Sequence, residues 1–155
     1  MKTIFALLLI SGVWFSTTNS FVYDALKGDS LEKIENALTT LNAKSESSLN
    51  NAYKGALLMK KAGFQNYPSK KVKVFKQGHQ LLEAEIKIYP NNTEYRFLRL
   101  AVQVNAPKIL KYNKNIEEDR AEIIANYEHL NPELKVHIQE FALKSVILTS
   151  SDLTE

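Results

Sequence analysis

The sequence predicts an all-α protein of about six amphipathic helices in three antiparallel hairpins, forming a repeat-like array or an irregular bundle. Three observations lead to this fold class. Apolar residues recur every three or four positions along six segments of the chain. Capping residues, proline and glycine stand at the ends of those segments. No segment shows the alternating apolar and polar pattern that is typical of a half-buried strand.

Ahead of the helices, the chain begins with the features of an export signal. Lys2 gives a positive start, and residues 4–15 are an apolar run of about 12 residues. This run is shorter than the ~20 residues that a membrane-spanning helix needs. Thr18 and Ser20 are small residues that suit cleavage before Phe21.

We therefore expect a signal peptide at residues 1–20 and a single all-helical domain at residues 21–155, with a periplasmic or extracellular location. The alternatives are an uncleaved anchor and an ordinary buried helix at the N-terminus. No later segment is apolar enough over a sufficient length to cross a membrane, so we expect no transmembrane segment in the mature chain.

The first two helices follow from their capping signals. Asp29 and Glu32 form a capping box at the start of the first helix. Its apolar residues at helical spacing are Leu31, Ile34, Leu38 and Leu41. The second helix covers residues 47–62, and Gly63 follows where a left-handed C-terminal cap is expected.

The next two helices lie on either side of a short turn. The third covers residues 69–89 and begins with the basic stretch KKVKVFK, and its Leu82 is predicted to be in the core. The fourth covers residues 93–104 and ends before Pro107, because proline cannot continue a helix.

The last two helices carry acidic or capping residues at their starts. The fifth covers residues 116–129, with three acids in its first turn, which suits the positive end of the helix dipole. Asn131 caps the sixth helix, Pro132 takes its first position, and Phe141 is predicted to be in the core. The final residues, 150–155, are predicted to be frayed.

The turn between the third and fourth helices resembles the junction between tetratricopeptide repeats. The residues that carry this resemblance are Ile86, Pro90, Asn91, Asn92 and Tyr95. Residues 51–63 are similar to the first helix of a repeat, with Gly55 and Ala56 as its small pair. The resemblance covers about residues 50–103 and implies helical hairpins that bind partners on a concave face. The lysine- and asparagine-rich composition is also similar to that of small exported Bacteroidota proteins of unassigned function.

The composition excludes several chemistries. The chain has no cysteine, which excludes disulfides, thiol nucleophiles and cysteine metal sites. Its glycines are scattered and form no phosphate-binding loop. We find no catalytic motif, and we expect no cofactor, no bound metal and no nucleic-acid partner. Bases dominate residues 54–114 and acids dominate residues 115–155. The alternatives are an anionic partner and, as we favour, contact between these two parts of one fold.

Two acidic pairs and one histidine are further candidate site residues in the sequence. His79 and Glu83 are four residues apart on one predicted helix, a spacing that could seat two metal ligands. No second pair stands at a suitable spacing, so a surface histidine beside a carboxylate is the favoured interpretation. The pairs Glu83/Glu85 and Glu117/Glu118 are predicted to be solvated helix faces.

The helix at residues 93–104 carries the candidate binding residues. This helix is apolar nearly all round, which predicts burial on several sides. Its one narrow polar stripe holds Arg96, Arg99 and Gln103. Because arginine binds carboxylates with two parallel hydrogen bonds, the stripe predicts a clamp for an acidic or carboxylate-ended protein or peptide. The alternative, which we favour, is internal pairing with acids of the first or fifth predicted helix.

These observations predict a non-enzymatic binding or scaffolding module that works through the surface of a helical array. The alternative is an enzyme or a metal-dependent envelope protein with a site around His79 and Glu83. A pocket converging on His79 with two carboxylates would favour the alternative, whereas an open groove at Arg96 and Arg99 would favour the binding module.

Overall fold

The computed structural model describes residues 19–107 and 110–154, and these residues form seven α-helices and no strand. The helices are α1 (Ser20–Lys27), α2 (Leu31–Ala43), α3 (Ser48–Ala62), α4 (Pro68–Ile88), α5 (Thr93–Asn105), α6 (Ile116–Asn126) and α7 (Pro132–Ala142). Short 3-10 turns follow at Tyr127–His129 and Ser150–Leu153. The all-α class is confirmed, with one more helix than the sequence predicts.

The additional helix is α1, at the start of the described residues. The predicted signal peptide lies outside those residues as far as position 18. Helix α1 begins at Ser20, one residue before the predicted cleavage point, and it buries Val22, Tyr23 and Ala25. In the part of the chain that the structure describes, no helix is both long and apolar enough to cross a membrane.

Side-chain caps fix the starts of four helices. Ser30 caps α2, where its hydroxyl accepts a hydrogen bond from the backbone N–H of Lys33 at 3.3 Å. The predicted capping box of Asp29 and Glu32 was therefore wrong by one residue. The other capping residues are Ser47 for α3, Asn92 for α5 and Asn131 for α7. Pro132 occupies the start of α7, as the sequence predicts.

Two helix ends and the C-terminal tail differ from the sequence prediction. Gly63 has a φ of −58°, in the right-handed helical region. The chain therefore leaves α3 through a further right-handed turn and not through the predicted left-handed cap. Helix α6 stops at Asn126 and continues to His129 as a 3-10 turn. The tail was predicted to be frayed, but Leu153 is buried and Asp152 accepts hydrogen bonds from Thr149.

Helix α3 is the centre of the packing. It contacts α1, α2, α4 and α5, and its most extensive contact is with α4. The second extensive contact is between α5 and α6. The backbones of α3 and α4 approach closely where Gly55 faces Gly78. This arrangement leaves the C-terminal ends of α1, α3 and α5 close to the start of α4.

The core runs through all seven helices. Leu82 is fully buried, as predicted. Phe141 is only half-buried, and its ring meets the ring of Phe97 edge to face at 5.5 Å between centroids. The largest fully buried apolar side chains are Tyr53, Ile34, Leu41, Leu57, Leu82, Leu98, Leu100, Ile123, Ile138, Leu148 and Val22.

Candidate functional site

The polar stripe of α5 lies inside the protein. Asn92 fixes the start of α5, because its side chain accepts a hydrogen bond from the backbone N–H of Tyr95. Apolar residues cover most of the helix and pack into the core. Arg99 and Gln103 are consequently buried, with 4% and 2% of their surface exposed.

Arg99 binds two carboxylates. Its Nε and Nη2 atoms donate a bidentate pair of hydrogen bonds to Asp119 of α6, at 2.7 and 2.6 Å. Its Nη1 atom donates to Glu83 of α4 at 3.0 Å. Asp119 has no exposed surface, so both charges of this pair are removed from water. The guanidinium group therefore joins α4, α5 and α6.

Arg96 adds a second cation to the same cluster. Its Nη1 atom donates to Glu118 at 2.7 Å and to Asp119 at 3.0 Å. Its Nε atom donates to the carbonyl oxygen of Pro90 at 2.8 Å, which ties α5 to the turn that precedes it. The side chain of Arg96 is 12% exposed, so this arginine lies at the edge of the cluster.

The electrostatics of the cluster keep the arginines charged. Burial alone would lower the pKa of Arg99, but its hydrogen bonds to Asp119 and the charges of Asp119 and Glu83 raise that pKa above its ordinary value. Burial would also lower the pKa of Arg96, but its hydrogen bonds to Glu118 and Asp119 raise that pKa above its ordinary value. Hydrogen bonds from Asn115 and Arg96 lower the pKa of Glu118.

These contacts match the internal-pairing alternative for Arg96 and Arg99. Two of the partners come from the fifth predicted helix, as that alternative stated, and the third comes from α4. Gln103 is buried beside them and its amide donates a long hydrogen bond to Asn115 at 3.5 Å. A role for the stripe in binding an external carboxylate stays a prediction.

The His79 and Glu83 pair is also engaged internally. Glu83 accepts a hydrogen bond from the hydroxyl of Tyr112 at 2.6 Å in addition to the one from Arg99. The ring of His79 packs against Tyr112, with 4.9 Å between centroids, and stacks on Phe75. Among the described residues, no group of three or more metal-binding side chains is placed to hold an ion.

The prediction that Glu83 and Glu85 form a solvated face was wrong. Glu85 is buried, and it accepts hydrogen bonds from Ser48 at 2.5 Å and from Asn51 at 3.0 Å. Glu83 keeps 29% of its side chain exposed, but it too accepts hydrogen bonds from within the protein, because α5 and Tyr112 cover that side of α4. The sequence signal that was missed is the set of hydroxyl and amide side chains at helical spacing on α3.

An apolar cavity is the other notable site, and the sequence did not predict it. It has a volume of about 750 Å³ and lies between the ends of α1, α3 and α5 and the start of α4. The apolar side chains that define its wall are Leu26, Met59, Phe64, Phe75, Val102 and Leu110. Because these residues are spread from position 26 to position 110, no local pattern in the sequence predicts the cavity.

The cavity is apolar in its depth and polar at its mouth. Met59, Ala62 and Phe75 are nearly buried where they line it, whereas Lys71 and Val72 are exposed. The charged residues that line the cavity are Asp29, Lys60 and Lys71. Neither the arginine cluster nor His79 is part of its wall, so the cavity and the predicted polar sites are separate places in the fold.

No family model matches this chain, and neither a curated protein nor a solved structure matches it.

Proposed function

We propose that this chain is an exported, non-enzymatic binding module that holds an apolar ligand in the cavity between the ends of α1, α3, α4 and α5. The observation that carries the proposal is the cavity itself. Its volume of about 750 Å³ falls within the roughly 300–1,000 Å³ that is typical of ligand pockets. Such pockets are mostly apolar with a few polar groups, which is the composition of this wall.

The chemistry of the wall favours binding over catalysis. A catalytic pocket needs a nucleophile, an acid or a base that converges with other polar groups on one point. Here the charged residues stand at the mouth, and one of them, Lys60, already lies 3.4 Å from Asp29. The export part of the proposal rests on the signal-peptide features of residues 1–20.

We place the ligand in the cavity rather than on the arginine stripe. Arg96 and Arg99 already bind internal carboxylates, and an external acid would have to displace them from a buried position. The cavity requires no such exchange. Filling it with an apolar ligand would remove apolar surface from water, which is favourable at about 25 cal/mol for each Å² buried.

A neutral apolar dye tests the proposal. The purified protein is titrated with N-phenyl-1-naphthylamine, and we expect a saturable, one-to-one rise in dye fluorescence. Val102→Trp and Ala106→Trp each place a large side chain in the cavity wall and should weaken binding at least tenfold. Val146→Trp is the matched control, because Val146 is 89% exposed and does not line the cavity.

The outcome separates binding of the dye in the cavity from non-specific binding of the dye to the protein surface. Thermal melts of all three variants show which of them are folded, and only folded variants enter the comparison. A dye that does not bind, or that binds Val102→Trp and Ala106→Trp as tightly as the unsubstituted protein, would overturn the proposal.

A further inference from the structure

The mouth of the cavity carries positive charge. Lys60 and Lys71 line it from α3 and α4, opposed by the single carboxylate of Asp29. The contact between Lys60 and Asp29 is long, and the Asp29 side chain is 95% exposed. An ion pair of this kind contributes little and is easily exchanged for another anion. The mouth therefore keeps a net positive charge beside an apolar interior.

The start of α4 strengthens this positive field. Pro68 lines the cavity at the first position of α4, and the capping residue, Tyr67, makes no side-chain hydrogen bond to the helix. The first turn of α4 contains no acidic residue. The N-terminal end of a helix carries partial positive charge, so a lysine placed there is repelled by the helix dipole. A nearby anion would offset this repulsion. Lys71 is thus placed where an anionic group would relieve unfavourable electrostatics.

We propose that the ligand of the cavity is a single-chain amphiphile with an anionic head, its apolar chain lying in the cavity and its carboxylate or phosphate head lying between Lys60 and Lys71. This inference rests on the proposed function, and it adds the chemical class of the ligand. The depth of the cavity accepts only the chain, because Met59, Phe75 and Val102 offer no polar partner there. The mouth accepts the head through the positive charge of Lys60 and Lys71, which line the cavity there.

Four ligands with the same twelve-carbon chain test the charge preference. Dodecanoate, dodecyl phosphate, dodecanol and dodecyltrimethylammonium are titrated separately by calorimetry, below the concentrations at which each self-associates. We expect at least one of the two anions to bind roughly 2- to 30-fold more tightly than dodecanol, and the cation to bind least tightly. The two anionic arms distinguish a carboxylate head from a phosphate head, and a preference for either supports the proposal.

Paired lysine variants assign the preference to the mouth. Lys60→Ser with Lys71→Ser should abolish the preference for anions while leaving dodecanol affinity within about twofold. Lys73→Ser with Lys76→Ser is the matched control, since it removes the same charge from exposed positions that do not line the cavity. The control variant should keep the full preference.

Chain length gives an independent measure of the apolar part. Affinity should rise about fourfold for each methylene between eight and twelve carbons, as burial of the chain requires. If dodecanol binds but anions bind no better, or if the Lys60/Lys71 variant keeps the preference, the inference fails while the proposed function stands. If neither the neutral dye nor any of the four ligands binds, both fail.

Discussion

Arg99 and Asp119 are the two most deeply buried charges in the described part of the chain. Their bidentate contact satisfies both groups, and Glu83 and Arg96 complete the cluster. Removing two charges from water is costly, and the loss is recovered only while both partners remain in place. The cluster therefore fixes how α4, α5 and α6 are placed against one another, and it stabilises the fold only as a complete set.

Removal of one partner should be severe. Arg99→Ala leaves Asp119 buried with only Arg96 as a partner, and we expect the free energy of unfolding to fall by about 3–5 kcal/mol. Asp119→Ala should have a similar effect. Arg120→Ala is the control, because its hydrogen bonds to Asp152 and to the carbonyl oxygen of Ile147 are partly exposed and should together contribute only about 1–2 kcal/mol. Urea unfolding measures all three, and a loss below about 1 kcal/mol for Arg99→Ala would contradict a structural role.

Buried tyrosines predict a loss of stability in alkali. Tyr23 and Tyr53 donate to Glu94, and Tyr112 donates to Glu83. Burial first, and then the neighbouring carboxylates, raise the pKa of all three phenols above the ordinary value. A raised folded pKa means that the stabilisation is complete below the unfolded pKa of about 10 and declines as the pH rises above it.

The decline can be measured one tyrosine at a time. For each buried tyrosine whose pKa is raised in the folded protein, the free energy of unfolding should fall by about 1.4 kcal/mol for every pH unit above pH 10. Tyr112→Phe should reduce the slope of stability against pH by that amount. Tyr67→Phe, at a side chain that is 63% exposed, should leave the slope unchanged. Equal slopes for the Tyr112→Phe variant and the unsubstituted protein would refute the prediction.

Among the helices, α3 and α4 make the most extensive contact, and their backbones approach closely at two glycines. A Cβ atom on Gly78 would lie 2.4 Å from the carbonyl oxygen of Gly55, and one on Gly55 would lie 2.7 Å from the backbone nitrogen of Leu82. These contacts are with backbone, which cannot move aside as a flexible side chain can. The two glycines therefore set the distance between the helices, and no other residue fits at either position.

Alanine at either glycine should destabilise the protein despite its higher helix propensity. The gain in propensity is about 1 kcal/mol, but the clash separates two packed helices. We expect Gly55→Ala and Gly78→Ala each to lower the free energy of unfolding by about 1–3 kcal/mol net. Gly28→Ala, where a Cβ would meet only the Asp24 carbonyl oxygen at 3.3 Å, should stay within about 0.5 kcal/mol. Stabilisation by both helical alanines would show that the gap between the helices can widen freely.

Local patterns accounted for six of the seven helices. Helices α2 to α7 start within about two residues of the prediction, because serine, asparagine and proline signals at their starts act through neighbouring backbone groups. Helix α1 was missed because it has only eight residues, too few to show a helical period beside the apolar N-terminal run. Its place in the core comes from contacts with α2 and α3, which are tertiary.

The candidate site was less accessible to sequence analysis. The unusual stripe of Arg96 and Arg99 was visible, and internal pairing was one of its two stated explanations. Glu83 was not identified as a partner, because a carboxylate on a long basic helix has the same local pattern whether solvated or buried. The cavity depends on where α1, α3 and α5 end in space and where α4 begins, and that is decided by packing rather than by any one segment.

For the molecule as a whole, the uneven charge of the sequence has a structural counterpart. The basic middle of the chain meets the acidic C-terminal part where α5 packs on α6, through Arg96 and Arg99. The lysines at the start of α4 are far along the chain from those acids and remain exposed. One of them, Lys71, lines the cavity together with Lys60 of α3.

Export makes a separate prediction for the whole chain. The buried residues of α1 begin at Val22, so cleavage before Phe21 would keep them all and remove the first residue of α1 and the preceding Asn19, whose side chain accepts a hydrogen bond from Lys44. We expect the mature protein to begin at Phe21 and, because Trp14 is the only tryptophan, to show tyrosine fluorescence alone. Intact mass of protein from an exporting host measures this, and a mass that retains residues 1–20 would contradict it.

The location of the ligand is tested most directly by the methyl NMR signal of Met59. After residue 1 this is the only methionine in the chain, and it lines the cavity with 4% of its surface exposed. Protein labelled with ¹³C-methyl methionine is titrated with dodecanol and then with dodecanoate. If the cavity is the binding site, the Met59 signal shifts saturably, with the same affinity that calorimetry gives for each ligand. Binding seen by calorimetry while the Met59 signal stays unmoved would place the ligand elsewhere and contradict the cavity as the binding site.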